Sequence, residues 1–497
     1  MNKNHRERNN VISETTVVSR HAWLTLAILS STLLTVFFSE TMLLPAIPEI
    51  IDDFNISYGT AAWIFSAYLI VAAVMTPIAG RLSDLFGKKK VLLSLLVIYM
   101  AGLTAGGFAD SITFLLITRI IQGVGLAAVP AAFSLLRDTF PPAKLSIAVG
   151  VFGSAYSAGS VVGLLVGAGI IQTFGWHSTF LAIAPFSILV TLLIARFVRE
   201  HKAPKLSNGS KAQRGMSDKK REPFSIDIKG ILALSATITS FLVALTLVQI
   251  GASAENMSQI AGSFAISAIS LSVFVAIERK AVPPFVDLRL LRDKILLPSY
   301  ILLVATGIAM FMIYPTIVQL VRSPAPLGFG GDSVDAANVQ LPFMIGFLVF
   351  AGITPFIINK IGSIKPAIIG GVISLFGTFG LLMFHATGPT VSVNFAIIAT
   401  GLSLTMTAIW NMVVSASPKE FTGISVGVGA LLLFVGMAIG PALAGVYMAD
   451  HENLGAQGSY PSAHSYDMVF LTAGLLSAVS LGFALILKRN TMHAATA

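Results

Sequence analysis

The stretch "GRLSDLFGKKKVLL" at residues 80–93 places a short charged turn between two long apolar runs. Charge is scarce in this chain, which is 55% hydrophobic and 11% charged, yet five ionisable residues fall within this turn. A mean hydropathy of +0.83 over 497 residues leaves too little polar surface to cover a soluble globule of this size. The charged turn therefore lies between two segments that cross a membrane.

Apolar runs of about 20 residues recur along the chain, and each is long enough to cross a bilayer as a helix. They are not the alternating segments of about ten residues that build a membrane β-barrel. The sequence thus predicts an all-α polytopic membrane protein. Its fourteen spans are placed near residues 23–45, 61–80, 90–109, 112–136, 145–172, 178–198, 229–250, 259–278, 297–320, 337–358, 366–386, 390–414, 421–449 and 466–488.

The distribution of Lys and Arg predicts the orientation of these spans. Of the 32 Lys and Arg residues, 30 fall on the side of the N-terminus, Arg322 lies in an opposite loop and Arg119 lies inside a span. Such residues concentrate in cytoplasmic loops, so we predict that both termini are cytoplasmic. The net charge of +9 is explained by this topology and by anionic membrane lipids as partners, and it requires no nucleic acid.

This orientation is testable with reporter fusions. A reporter fused after Lys211 should be active on the cytoplasmic side, and one fused after Gly455 should be active on the external side. The opposite location of either reporter would reverse the predicted orientation.

A polar, basic segment separates two halves that share short sequence matches. "SDLFGKKK" (83–90) resembles "INKIGSIK" (358–365), and "GSVVGL" (159–164) resembles "GPALAG" (440–445). Similar offsets between the matches indicate a pseudo-repeat of two six-helix bundles with two helices inserted between them. The predicted segments are an N-terminal cytoplasmic tail (1–22), an N-terminal bundle (23–198), a basic linker (199–228), two inserted helices (229–278), a cytoplasmic loop (279–296), a C-terminal bundle (297–489) and a cytoplasmic tail (490–497).

The charged turn also resembles a known family signature. The turn between helices 2 and 3 of the major facilitator superfamily runs Gly, any residue, Leu, small, Asp, basic, any residue, Gly and then basic residues. This sequence departs from that pattern at Leu85. "RIIQGVGLAA" (119–128) and "FGWHSTFLAIAP" (174–185) look like this superfamily too, and the fourteen spans are similar to its drug:proton antiporter branch. The matching signature residues are Gly80, Leu82, Asp84, Gly87, Lys88 and Lys89.

This resemblance implies that the turn belongs to a gate on the cytoplasmic face. The gate motif comprises Gly80, Asp84, Gly87, Lys88 and Lys89. Glycines permit a tight turn and close backbone approach, and an acid beside a helix N-terminus is stabilised by the helix dipole. The lysines alone could be explained by topology, with contacts to lipid phosphates. Asp84 departs from the basic loop pattern, and we interpret it as a latch.

Ionisable residues inside spans are candidates for the transport site, because each costs several kcal/mol in hydrocarbon unless it faces a cavity or a partner, with about 3 kcal/mol as the lower estimate. Glu40 and Arg119 are such residues, and Gln122 follows Arg119 by one helical turn. The resemblance implies proton coupling at the acid and the arginine. Alternatively, Glu40 near the outer end of its span could reach the outer surface, and Arg119 could pin backbone carbonyls.

The fifth span departs from the antiporter branch, which has Gly, Pro, two variable residues and a Gly pair at this point. Here Ser160 replaces the proline and Leu164 replaces the second glycine. A proline kinks a helix more strongly than a serine does, so the direction of transport is less defined than the fold. The span is also rich in residues that permit close helix packing. These are Gly153, Gly159, Gly163, Gly167 and Gly169.

Polar and aromatic residues of the C-terminal half are candidates for the cavity lining, although each could equally be an ordinary helix contact. These residues are Tyr314, Gln319, Gln340, Trp410 and Asn411. The sequence contains no phosphate-binding loop, no metal-spaced cluster and no nucleophile elbow, so we predict no enzymatic activity, no metal site and no cofactor.

We therefore predict a monomeric transporter of small molecules in the plasma membrane, driven by a proton gradient. The leading function is proton-coupled efflux of amphipathic or cationic drugs and toxic compounds by alternating access. A lone acid in an apolar cavity could bind a cation or hold a proton. The alternatives are a metabolite transporter or importer of the same fold, or a membrane receptor that transports nothing.

Overall fold

The structure is a computed structural model that describes residues 18–199, 228–250, 254–281, 292–417, 422–453 and 459–496. Almost all of this part of the chain is helical, and 14 helical segments within it are long and apolar enough to cross a membrane. The predicted fold class is thereby confirmed. The predicted N-terminal tail and basic linker lie almost entirely outside the described residues.

The helices follow one another along the chain with short connections. In the first half they are α1 (Arg20–Thr41), α2 (Ile47–Phe54), α3 (Tyr58–Phe86), α4 (Lys88–Gly106), α5 (Ile112–Leu126), α6 (Ala128–Thr139), α7 (Pro142–Phe174) and α8 (His177–Phe197). The inserted pair is α9 (Ile228–Ile250) and α10 (Ala254–Glu278). The second half has α11 (Leu296–Arg322), α12 (Ser333–Ile361), α13 (Ile364–Met383), α14 (Gly388–Ala416), α15 (Thr422–Tyr447) and α16 (Ala463–Thr496).

A short hairpin connects α15 to α16. Its strands are β1 (His451–Asn453) and β2 (Ser459–Pro461), which pair antiparallel with His451 opposite Pro461. Because 14 candidate spans cross between the two chain ends and one of them follows the hairpin, the hairpin is placed on the face of the membrane opposite to the chain ends. We call the side of the chain ends the terminal face and the other side the opposite face.

The first span is longer than predicted, because the chain remains helical beyond residue 45. A 3-10 turn (Leu44–Ala46) follows α1 and leads into α2, so the span runs from Arg20 to Phe54. Pro45 and Pro48 occupy the second positions of these two elements. A proline is tolerated there, since its missing N–H would have no partner inside the helix.

The two predicted repeat matches occupy equivalent places in the two bundles. Gly87 ends α3 with a φ of 98°, and Gly362 ends α12 with a φ of 77°. Both helices are the second span of their bundle, and in both the glycine N–H donates to the carbonyl four residues earlier, of Ser83 and of Ile358. The positive φ favours glycine at both turns.

The second repeat match concerns close helix packing. A Cβ built on Gly159 of α7 would lie 2.5 Å from the Leu34 carbonyl oxygen of α1. A Cβ on Gly440 of α15 would lie 2.6 Å from the Ile308 carbonyl oxygen of α11. In each bundle the fifth span therefore contacts the first span through a glycine, as the repeat predicts.

The glycines of α7 do not all serve this packing. Gly163 and Gly167 continue the stripe of Gly159 against Phe38 and Met42 of α1. Gly153 and Gly169 face open space, because a Cβ built on either would meet no atom within 4 Å. The expectation of close packing is wrong for these two residues, which lie off the stripe.

The two bundles meet along two seams. The helices α3 and α15 form one seam, and α7 and α12 form the other. The inserted helix α9 packs against α10, α3 and α15, so the inserted pair lies beside the first seam.

Candidate functional site

Glu40 lies in the interior of the first span, because that span extends to Phe54. The residue is 3% exposed, and neither carboxylate oxygen has a hydrogen-bond partner in the described structure. The alternative in which its carboxylate reaches the outer surface does not describe this arrangement. A buried carboxyl without a partner is costly in a membrane, so its position points to a function.

The neighbouring hydroxyls of α1 do not solvate this carboxyl. Ser31, Thr32 and Thr35 donate to carbonyls four residues earlier in α1, and Ser39 donates to the Val36 carbonyl. This polar stripe satisfies its hydrogen bonds within its own helix.

Arg119 of α5 is fully buried and connects three helices. Its Nε donates to the Ile64 carbonyl of α3 at 3.0 Å, and its Nη1 donates to the Ser39 carbonyl of α1 at 3.3 Å. The guanidinium carbon also lies 4.3 Å from the ring centroid of Tyr68, a cation–π distance. Arg119 therefore pins backbone carbonyls, as one alternative predicted, and it does so beside Glu40.

Gln122 fixes the orientation of this arginine. Its Oε1 accepts from Arg119 Nη1 at 3.0 Å, and its Nε2 donates to the Gly102 carbonyl of α4 at 3.1 Å. The spacing of three residues places both side chains on one face of α5. The pair links α5 to the three preceding spans.

Arg119 binds the carbonyl of Ser39, the residue before Glu40, but no ion pair joins Arg119 and Glu40 in the described structure. The Nε and Nη1 atoms of Arg119 donate hydrogen bonds, and its Nη2 has no partner among the described residues. A donor and an acceptor that are both unpaired thus lie in one buried region. Such a pair can respond to a change of charge at the carboxyl.

A closed cavity lies between the two bundles beside Glu40. About 300 Å³ is free of atoms within it, but the centre of a water-sized molecule has about 10 Å³, room for about one water. The lining residues from the N-terminal bundle are Glu40, Thr41, Leu44, Phe65, Tyr156 and Ser160. Those from the C-terminal bundle are Met310, Phe311 and Tyr314.

Of the five residues predicted to line the cavity, Tyr314 is the one that borders this cavity. Gln340 lies behind it, fully buried, and its Nε2 donates to the Tyr314 carbonyl at 3.0 Å. Gln319 is buried near Ser323. The Gln340 amide therefore supports the wall of the cavity in this conformation, and neither amide is among the residues that line it.

The remaining two predicted lining residues lie nearer the terminal face. Trp410 packs against Gly429 of α15. A Cβ built on this glycine would lie 3.1 Å from the indole ring. Asn411 is exposed, and its Oδ1 accepts a hydrogen bond from Ser363 at 2.7 Å. Neither borders the closed cavity.

Sequence reasoning missed most of the aromatic walls. Phe65, Tyr156 and Phe311 lie in apolar spans where most aromatic residues pack in cores or face lipid. The tyrosine of "FGSAYSAGS" (152–160) is one turn before Ser160, and this polar pair within the small-residue stretch was a usable signal.

The substitution of Ser160 for proline leaves α7 a helix from Pro142 to Phe174. Ser160 Oγ donates to the Tyr156 carbonyl, and the Ser160 carbonyl accepts from Thr41 Oγ1 at 2.9 Å. This bond ties α7 to α1 at the edge of the cavity. Ser160 is thus a polar part of the cavity wall.

The gate motif occupies the end of α3 and the start of α4 on the terminal face. Lys88 pairs with Asp138 at 2.5 Å, and Lys89 donates to the Ala195 carbonyl at 2.7 Å, so both lysines bind partners inside the N-terminal bundle. Gly80 lies within α3 and faces open space, which differs from the close approach expected there. The side chain of Asp84, in the last turn of α3, lies outside the described residues.

The proposed latch at Asp84 remains testable. Asp84→Asn keeps the shape of the side chain and removes charge-assisted hydrogen bonds, which are worth about 1.5–3 kcal/mol each. We expect normal insertion and expression with transport reduced by about tenfold or more, measured as initial rates in vesicles. Full transport by this variant at equal expression would show that the charge is incidental.

The bundles are closed against each other toward the opposite face. Arg322 at the end of α11 pairs with Glu49 of α2 at 2.7 Å, and Gln172 of α7 donates to Asp332, the N-cap of α12, at 2.6 Å. In the seam of α3 and α15, Ser66 Oγ donates to the Ala438 carbonyl at 2.7 Å. Release of a compound through this face requires these contacts to separate.

The two helical bundles, the buried charges and the closed cavity between the bundles define a membrane transporter of the alternating-access type. The model of the family "Major Facilitator Superfamily" matches residues 29–441, and the chain belongs to this superfamily. It is accordingly a multi-pass transporter of the plasma membrane rather than an enzyme.

Similar proteins support this assignment. The chain is 27% identical to the multidrug transporter protein MdtP of Bacillus subtilis over 85% of its own length and 75% of the relative's. It is 26% identical to the tetracenomycin C resistance and export protein of Streptomyces glaucescens over 86% and 76%. The crystal structure of the human organic anion transporter MFSD10 matches with a TM-score of 0.59 at 15% identity, covering 92% of this chain and 99% of that one.

Proposed function

We propose that this transporter exports amphipathic cations from the cell in exchange for protons. The observation that carries the proposal is the carboxyl of Glu40, buried without a hydrogen-bond partner, in a cavity that both bundles line. Relatives described as a multidrug transporter and as a resistance and export protein support the direction and the breadth of substrates.

The cavity walls suit a lipophilic cation. Four rings surround the space next to the carboxyl, and the faces of aromatic rings attract cations once water is excluded. These rings belong to Phe65, Tyr156, Phe311 and Tyr314. Met310 adds a flexible thioether that can adapt to differently shaped ligands. A cavity with a single acid and adaptable apolar walls selects its ligands by their positive charge more than by their detailed shape.

The exchange follows from competition for one carboxyl. A cation that enters from the cytoplasm favours the charged carboxylate and displaces its proton, and a proton that arrives from outside neutralises the carboxyl and releases the cation. Arg119 is held by Ser39, Ile64 and Gln122, so its charge stays next to this carboxyl without filling the cavity. The positive charge of Arg119 thus stabilises the carboxylate in the interval after the cation has left and before a proton arrives.

The surrounding layout belongs to the same proposal. Both termini and the basic linker lie in the cytoplasm, with the segment boundaries predicted from the sequence, and the protein acts as a monomer among membrane lipids. The opposite face, closed by Arg322 and Glu49, is then the external face.

A metabolite transporter or importer is the second candidate function. Ser160 favours it, because the antiporter branch has a proline at this position and here a serine lines the cavity. A cavity hydroxyl and a carbonyl fixed by Thr41 offer hydrogen bonds to a polar substrate.

Transport by the purified protein in proteoliposomes separates these functions. Tetraphenylphosphonium is a suitable probe because it is a permanent lipophilic cation. We expect its accumulation only when an imposed proton gradient drives exchange, together with alkalinisation of the compartment that supplies the protons. Accumulation without a gradient would support uniport, and the absence of transport at verified protein density would contradict the proposal.

A further inference from the structure

The hydroxyl groups of three residues that border the closed cavity already donate their hydrogens within the protein. Thr41 Oγ1 donates to the Ser160 carbonyl at 2.9 Å, and Ser160 Oγ donates to the Tyr156 carbonyl at 3.1 Å. The hydroxyl of Tyr314 donates to Met344 Sδ at 3.2 Å. Each of these three oxygens can therefore bind a ligand only as a hydrogen-bond acceptor.

The carboxyl of Glu40 adds further acceptors when it is charged. Neither of its oxygens has a hydrogen-bond partner among the described residues, and a carboxylate accepts hydrogen bonds but donates none. Arg119 is not among the residues that line the cavity. The hydroxyl of Tyr156, another polar group of the lining, can both donate and accept. The polar part of the cavity wall thus consists mainly of acceptors.

The size of the cavity limits the head group that it can hold in this conformation. The centre of a water-sized molecule has about 10 Å³, room for about one water. A primary ammonium group is close to a water molecule in size and carries three N–H donors. A quaternary ammonium group has the same charge, but its nitrogen carries four carbon substituents and no donor. Both the acceptors and the size of the cavity favour a primary ammonium group.

The aromatic walls alone would favour the opposite choice. Cages of aromatic rings bind quaternary ammonium groups through the faces of the rings, without hydrogen bonds. Such a ligand would leave the Glu40 carboxylate without a donor, and a buried acceptor without a partner is costly. A head group with N–H bonds satisfies the carboxylate and still contacts the rings.

We propose that the cavity selects amphipathic amines with a protonated primary ammonium head group over quaternary cations of equal charge. This inference rests on the proposed function and names the substrate class of the same site. The ammonium group donates to the Glu40 carboxylate and to the oxygens of Ser160 and Tyr314, while the lipophilic part of the amine requires the bundles to separate. A permanent cation such as tetraphenylphosphonium binds through its charge and ring contacts alone, so it is a weaker ligand.

The test compares two ligands that differ only at the nitrogen, phenylbutylammonium and phenylbutyltrimethylammonium. Each is used to displace radiolabelled tetraphenylphosphonium from the detergent-purified full chain, at a neutral pH at which the amine is protonated. We expect the primary amine to displace half of the label at a concentration lower by about tenfold or more, because its hydrogen bonds are made to a charged group.

A clearly smaller difference, or a more potent quaternary ligand, would overturn this inference and show that the aromatic walls select the ligand. The proposed function would still stand, because tetraphenylphosphonium would have bound. If tetraphenylphosphonium itself does not bind, the inference and the proposed function both fail.

Removal of single acceptors tests the hydrogen bonds themselves. Tyr314→Phe and Ser160→Ala each remove a hydroxyl from the cavity wall and keep its rings. In each variant the advantage of the primary amine should fall by about threefold to tenfold, whereas the potency of the quaternary ligand should change little. A ratio of two ligands on one protein is insensitive to partial loss of folded protein.

Tyr300→Phe is the matched control for these variants. It removes a buried hydroxyl from the same helix, α11, where Tyr300 donates to the Ser425 carbonyl at 3.0 Å. Tyr300 is not among the residues that line the cavity, so the advantage of the primary amine should remain unchanged. An unchanged advantage in Tyr314→Phe and Ser160→Ala as well would show that these acceptors do not select the ligand, which would overturn the inference.

Discussion

Glu40→Gln should abolish the proton release that a lipophilic cation induces when it binds to the purified protein. Glutamine keeps the size of the side chain and a polar head, but it cannot titrate. Proton-driven transport of tetraphenylphosphonium should fall by at least a hundredfold, because the exchange has no other carboxyl in the closed cavity that the structure describes. A neutral compound of similar size could still bind to the aromatic walls.

The measurement is the change of pH in a weakly buffered solution of detergent-purified protein upon addition of the cation. The control is Asp110→Asn, which removes an exposed carboxyl at the start of α5, remote from the cavity. Proton release by the control should equal that of the wild type. If Glu40→Gln releases as many protons as the wild type, Glu40 takes no part in coupling and the proposed exchange is wrong.

Loss of the ion pair between Glu49 and Arg322 should open the opposite face. The side chains are 30% and 18% exposed, so solvent screens the pair only in part. A contact of this kind is worth about 1–2 kcal/mol, which shifts the balance between closed and open forms by about tenfold. Glu49→Gln and Arg322→Gln should each produce this shift.

The reporter for this opening is Ser333→Cys, a buried position at the start of α12 where the bundles meet. Its modification by a water-soluble maleimide should accelerate in both single variants. The exchange of both charges, Glu49→Arg with Arg322→Glu, should slow it again, because the attraction is restored with the opposite polarity. Asp110→Asn, which removes an exposed carboxyl from the connection between α4 and α5, is the control and should leave the rate unchanged.

A rate that the exchange of charges fails to restore, in a protein that still folds, would show that the two residues act separately. This result would remove the ion pair from the closure of the bundles. The hydrogen bond between Gln172 and Asp332 would then be the contact to examine.

Hydropathy predicted the spans because hydrocarbon imposes the same length and composition on every helix that crosses it. It failed at the end of the first span, where Pro45 and Pro48 look like the end of a helix. Their positions at the starts of new helical elements depend on local geometry. That error also moved Glu40 from the interior of the span to its apparent edge.

The charged and polar residues of the functional site could be predicted from the sequence, because such residues are rare in apolar spans. The aromatic residues of the site could not. Glu40, Arg119 and Gln122 stand out in apolar spans, and the structure brings them together in one region. Tyr156 and Phe311 do not stand out, because an aromatic side chain can face lipid, a core or a cavity at the same cost. Which of these occurs depends on contacts between distant parts of the chain.

The small size of the closed cavity has a consequence for the leak of protons across the membrane. Room for about one water molecule cannot hold a file of several waters beside Glu40. Protons move quickly along such files, so an idle transporter that kept one would short-circuit the membrane. We therefore expect the small cavity beside Glu40 to limit the leak of protons through this site when no substrate is bound.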